Sequence, residues 1–116
     1  MKGHSIRGKL GYVDIQVKDI RQINTNLFEK SIELANMEIV KKAEYSFGEN
    51  YGSTIIYILE ESHFSIHTYP EYNYFTVDIY TCGGEGSPEK AIKYILKQVD
   101  YVKYKTTVIK RGQLNI

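Results

Sequence analysis

The chain is poor in several residue types, and each scarcity excludes something. Among its 116 residues there are one cysteine, no tryptophan, two prolines and three histidines. The single cysteine, Cys82, cannot close an intrachain disulfide. That excludes a disulfide-stapled secreted scaffold and makes a reducing cytoplasm the expected setting. No apolar run approaches the roughly 20 residues that a membrane-spanning helix needs. Residues 1–7 lack the apolar stretch of a signal peptide. Neither sign of charge dominates: 15 Lys and Arg stand against 14 Asp and Glu, a net charge of +1. Nothing in that balance offers a nucleic acid or an anionic membrane surface a partner.

What is present describes one globular domain over 1–116, with no linker or low-complexity tract. Hydrophobic residues make up 42% and charged residues 25%, a mixture that can bury a modest core. The eleven tyrosines carry no assignable function. Residues 9–17 alternate loosely and read as a first strand. Asn24 or Thr25 caps a helix running to about Met37, with Phe28, Ile32 and Ala35 on its inner face. Residues 38–47 read as a strand, 48–52 as a turn rich in glycine, and 53–59 as a β-branched strand. Residues 63–69 form the next strand, turned by 70–73. In 74–81, Phe75, Val77 and Ile79 alternate cleanly with Thr76, Asp78 and Tyr80. After a loop at 83–86, Ser87-Pro88-Glu89 begins a helix whose buried stripe is Ala91, Ile92, Ile95, Leu96 and Val99. Residues 101–110 read as a last strand, with a loose tail to Ile116. The two halves look loosely duplicated, each with strands and one helix. The expected class is α+β: an antiparallel sheet with both helices on one face. The other face then needs a cover, most simply a second copy of the chain.

The chemistry concentrates in one block. Glu60-Glu61-Ser62-His63 follows an apolar strand, then come Ser65-Ile66-His67-Thr68, Pro70-Glu71, Asp78 and Tyr80-Thr81-Cys82-Gly83. A serine hydroxyl at a strand corner can attack the carbonyl before it. The resulting ester can break by β-elimination, and loss of ammonia leaves a ketone at position 62. A neutral imidazole near pH 7 can take the proton from the Cα of Ser62, and His67 is the candidate. Ser62 and His67 reach one pocket within a chain only if the strand bends after Ser62. His63 faces the opposite way by alternation and reads as structural. Cys82 is the candidate proton donor to a carbanion, with Gly83 and Gly84 leaving room around its thiol.

The ordered block from Glu61 to Gly83 resembles the S-adenosylmethionine decarboxylase family in its short bacterial and archaeal form. The resemblance implies self-cleavage at Glu61–Ser62 into 1–61 and 62–116, with a pyruvoyl cofactor made from Ser62 and no metal. It implies a carboxy-lyase that supplies aminopropyl groups for spermidine. It gives His67 the processing role, Cys82 proton donation, and Glu71 the ribose hydroxyls of the substrate. Thr54 stands where the family has serine or threonine, placed to hydrogen-bond the Glu61 carbonyl or the oxyanion of the cleavage intermediate. It also implies two sheets packed face to face, hence a homodimer of cleaved protomers with a small-molecule substrate.

The likeness is tight over 51–83, weaker over 8–19 and architectural elsewhere. In the first strand, Gly8-Lys9 is followed by Leu10 where the family has histidine, and the family's early cysteine is missing. The phenylalanine that stacks on adenine in the family corresponds to Gly48. Phe47 or Tyr51 must then supply the ring, since any aromatic face stacks a purine. Without one, ornithine or arginine becomes the alternative substrate, its distal charge held by Asp14, Asp78 or Glu71. A further alternative is an uncleaved homologue that regulates an active partner. The intact Ser62, His67 and Cys82 argue against it.

Overall fold

The structure, a computed structural model, describes residues 5–60 and 62–115. Six strands form one antiparallel sheet: β1 (Ser5–Val17), β2 (Ile39–Ser46), β3 (Ser53–Leu59), β4 (Ser62–Tyr69), β5 (Tyr74–Thr81) and β6 (Tyr101–Asn115). Their order across the sheet is β2-β3-β4-β5-β1-β6. Two helices, α1 (Thr25–Leu34) and α2 (Pro88–Gln98), cover one face.

Alternation decides which side chains that face takes. Val13, Ile15 and Val17 of β1 point inward, as do Ile55, Tyr57 and Leu59 of β3, Phe64 and Ile66 of β4, and Phe75, Val77 and Ile79 of β5. They meet Phe28 and Ile32 of α1 and Ala91, Ile92 and Ile95 of α2. Phe28 packs edge-on against Phe75, ring centroids 5.6 Å apart. Both helices begin on side-chain caps: Asn24 accepts from the Asn26 N–H, and Ser87 accepts from the Lys90 N–H. Tyr57, under α1, donates its hydroxyl to Glu29 at 2.7 Å. That bond holds the Glu29 carboxyl below its usual range, and burial pushes the Tyr57 phenol well up.

The α+β class and the placement of both helices on one face agree with the sequence reading. Three details differ. The tail expected to be loose is strand to Asn115, because β6 pairs along the full length of β1, from Ser5↔Asn115 to Val17↔Tyr101. For the same reason β1 starts at Ser5 rather than at Lys9. α1 ends at Leu34, before Met37, where Asn36 turns through a positive φ of 61°. Both Ala35 and Met37 are still buried.

The opposite face carries no helix. Across it run residues in register: Lys105, Asp14, Thr76, His67, Thr54 and Tyr45, one from each strand. Ile56, Ile58 and Ile109 lie exposed on the same face. Among the described residues, no helix is long and apolar enough to cross a membrane.

Candidate active site

The candidate residues fall into two groups at opposite ends of β4. At one end, Thr54 on β3 and His67 on β4 are register partners on the uncovered face. Thr54 Oγ1 lies 3.0 Å from His67 Nδ1. When Nδ1–H donates to that hydroxyl, Nε2 keeps the lone pair that a base needs. Just beyond, Tyr69 and Tyr74 pack with centroids 5.4 Å apart. Burial pushes the Tyr74 phenol up, and the charge of Asp14 and the neighbouring Tyr69 add to it.

Thr68 braces this end from the helix-covered side. Its hydroxyl accepts from the Ser53 N–H at 2.8 Å. The chain reaches that contact through Gly52, at φ +93°, where a Cβ would stand 2.1 Å from the Thr68 carbonyl oxygen. Glu71 follows in a 3-10 turn, Pro70–Tyr72, closed by Asn73 in the left-handed region. Glu71 is exposed and lines an open cleft of about 630 Å³ with Lys18, Arg21, Glu49 and Asn50.

Phe47 and Tyr51 take different positions. Phe47 pairs with Tyr45 in a T-shape, centroids 5.0 Å apart and rings at 76°. By alternation along β2, Tyr45 and Phe47 share the uncovered face with Thr54. Tyr51 lies against Gly48, where an added Cβ would meet its ring at 3.1 Å. Tyr45 was not singled out from the sequence. Its position directly opposite Thr54 comes from strand register, which composition does not reveal.

At the other end, Ser62 opens β4 opposite the buried Thr81 of β5, and the exposed Cys82 is the next residue. Gly83 and Gly84 follow with φ of +124° and +76°, and nothing lies within 4 Å of where a Cβ on Gly84 would be. The chain around Ser62 thus offers space on the Cys82 side. Glu61, expected before the cleaved bond, lies outside the described residues.

The expected bend after Ser62 is absent. β4 runs unbroken from Ser62 to Tyr69, paired on both sides. At about 3.3 Å per residue, Ser62 and His67 stand roughly 16 Å apart along the strand. An odd number of steps also puts them on opposite faces. The structure therefore joins Thr54 to His67, sets Ser62 opposite the residue before Cys82, and leaves the two ends separate within one chain. Among the described residues, no cluster of His, Cys, Asp or Glu has the makeup of a metal site.

Comparison with known proteins identifies relatives of this arrangement. The family model described as S-adenosylmethionine decarboxylase matches residues 12–112. An S-adenosylmethionine decarboxylase proenzyme of Pyrobaculum islandicum is 37% identical over 84% of this chain and 78% of its own length. An arginine decarboxylase proenzyme of Caldivirga maquilingensis is 35% identical over 95% of this chain and 84% of its own. The crystal structure of the adenosylmethionine decarboxylase of Aquifex aeolicus superposes with a TM-score of 0.82 at 30% identity, covering 97% of this chain and 96% of that one.

Proposed function

The chain belongs to the S-adenosylmethionine decarboxylase family, and from that premise we propose that it is a proenzyme that cuts itself at Glu61–Ser62 and then decarboxylates S-adenosylmethionine. The observation that carries the reading is the Thr54–His67 pair at 3.0 Å, set at the family spacing from Ser62 and Cys82.

In the cleavage, Ser62 Oγ attacks the carbonyl of residue 61 and the acyl group moves from nitrogen to oxygen. Thr54 donates to the oxyanion formed on the way. His67 removes the Cα proton, the ester oxygen leaves with the carboxylate of Glu61, and a double bond forms at residue 62. Water then replaces the nitrogen, ammonia departs, and a pyruvoyl group heads the 62–116 fragment. That ketone supplies an electron sink for a substrate whose amine condenses with it. Cys82 delivers the proton to the substrate carbon once carbon dioxide has left.

Because the two groups lie some 16 Å apart along β4, the reading needs a second chain. A two-fold axis lying between two stacked sheets, at right angles to their strands, reverses strand direction. It lays β4 over its copy, with the Ser62 end of one protomer above Thr54 and His67 of the other. Alternation turns Ser62 to the helix-covered side, so at this first position of the strand its hydroxyl must rotate to reach that pocket. Sheets stack about 10 Å apart, close enough for side chains from both to share a pocket. The exposed Ile56, Ile58 and Ile109 give the uncovered face apolar surface for such packing. The product would serve polyamine synthesis, in the cytoplasm.

Tyr45 and Phe47 offer an aromatic platform for adenine, and Glu71 an acceptor for ribose hydroxyls. Arginine is the second reading. It is favoured by the bare Gly48 and by the likeness to an arginine decarboxylase proenzyme over 95% of this chain. Intact-mass spectrometry tests the first step: two fragments, 1–61 and 62–116, with none from Ser62→Ala. A single uncut chain after prolonged incubation refutes it. Release of carbon dioxide from S-adenosylmethionine, arginine or ornithine then decides the substrate.

A further inference from the structure

Three side chains outside the groups described so far stand beside the cleavage point. His63, the residue after Ser62, projects onto the uncovered face and stacks on Tyr80 of β5, ring centroids 5.6 Å apart and planes at 30°. The guanidinium of Arg111 on β6 lies 5.7 Å from the centroid of the same Tyr80 ring. Between these strands runs β1, and the position under the ring is Gly8. A Cβ there would stand 3.0 Å from the Tyr80 hydroxyl and 3.2 Å from its Cε1. The missing side chain at Gly8 is what lets Tyr80 lie across β1 toward Arg111.

We infer that Arg111, Tyr80 and His63 form a clamp that fixes the new chain end after self-cleavage, with His63 as a positioning residue for the group at position 62. The inference rests on the self-cleavage reading above. Before the cut, residue 62 is held from both sides along the chain. After it, residue 62 is a terminus attached only through residue 63, and strand ends fray unless tied. Ladder bonds to β5 restrain the backbone but leave the last residue free to turn. The ring stack fixes His63 directly. The cation over Tyr80 fixes the stack in turn, since an aromatic face attracts a guanidinium. With residue 63 held, the ketone at 62 keeps one orientation toward Cys82 and toward the incoming amine. Misplacement by about 1 Å at a reacting centre can cost on the order of a hundredfold in rate.

The test uses the matured protein and reads hydrogen exchange on the peptide 62–69. His63→Ala should speed exchange of its first amides about tenfold or more, and His63→Phe, which keeps a stacking ring, should restore it. In uncleaved Ser62→Ala protein, where the chain continues through residue 61, His63→Ala should have much less effect on the same amides. Steady-state kinetics should show kcat down about tenfold or more with KM little changed, again restored by His63→Phe. Arg111→Gln, which leaves the hydrophobic core alone, should loosen the same peptide to a smaller degree. The clamp is overturned if matured His63→Ala exchanges and turns over like the parent. It is equally overturned if His63→Phe is as impaired as His63→Ala, since the imidazole rather than the stack would then be required. Failure of the self-cleavage reading shows separately, as a parent protein that never yields the 62–116 fragment.

Discussion

The separation of Ser62 from His67 makes a prediction that a mixture of two crippled chains can decide. Cys82→Ala damages the Ser62 end and leaves Thr54 and His67 intact; His67→Ala does the reverse. The strand between them is straight, and no side chain spans roughly 16 Å. Neither chain can therefore supply in itself what the other lacks, but a mixed dimer can. On the proposed dimer, the Ser62 and Cys82 end of the His67→Ala chain would meet Thr54 and His67 of the Cys82→Ala chain, which rebuilds one of its two sites. If two-fold dimers form at random from equal amounts, about half are mixed, so about a quarter of all sites are whole. Decarboxylation by the coexpressed pair should approach about a quarter of the parent rate, far above either variant alone. Intact mass gives a sharper reading. His67→Ala alone should stay uncut, stalled at the ester and open to cleavage by hydroxylamine. In the mixture, about half of its chains should be cut by the partner's histidine. About half of the Cys82→Ala chains, fully cut when alone, should lose their cleavage. If no His67→Ala chain is ever cut in the mixture and every Cys82→Ala chain is, processing occurs within one chain and the shared site is wrong.

Other outcomes follow from local geometry. Gly52→Ala should destabilise by about 2–4 kcal/mol, because the backbone at φ +93° and the Thr68 carbonyl leave a Cβ no room, and thermal melting would show it. Tyr57→Phe should cost about 1 kcal/mol, kept small because Glu29 is partly exposed to solvent. Glu29 is held below its usual range, so its contribution is present above the unfolded value and lost as pH falls through the folded one. Removing its main partner should flatten the acid limb of stability against pH. Phe47→Ala should weaken S-adenosylmethionine binding by about 1–3 kcal/mol by calorimetry if the Tyr45–Phe47 pair carries the base. Unchanged affinity would turn attention to Tyr51.

The sequence made the interior legible and the edges less so. Phe75, Val77 and Ile79 alternate because one face of β5 is buried, and burial is what writes a period of two into a strand. β6 is an edge strand of mixed lysine, tyrosine and threonine, with little buried on either face. Its extension to Asn115 is held by pairing to β1, a long-range contact that a local pattern does not encode. At the candidate site, the order of Ser62, His67 and Cys82 was legible from the motif, whereas the Thr54–His67 contact comes from the pairing of β3 with β4. The straightness of β4 was not legible, because ladder bonds on both its sides impose it. His63 read as merely structural because its partner, Tyr80, lies 17 residues on and meets it only across two paired strands.

On the proposed shared site, the two half-sites at opposite ends of one straight strand would also give the protein a threshold. If the site is shared as proposed, a newly made chain holds its serine but not its base within reach, so maturation would wait on encounter and its onset would follow the square of chain concentration. A cell making little of this chain would hold it as inert precursor; doubling synthesis would quadruple early activation. The lag before activity would then shorten with gene dosage, and a drug or peptide that occupied the uncovered sheet face would block the enzyme before it had ever existed in active form.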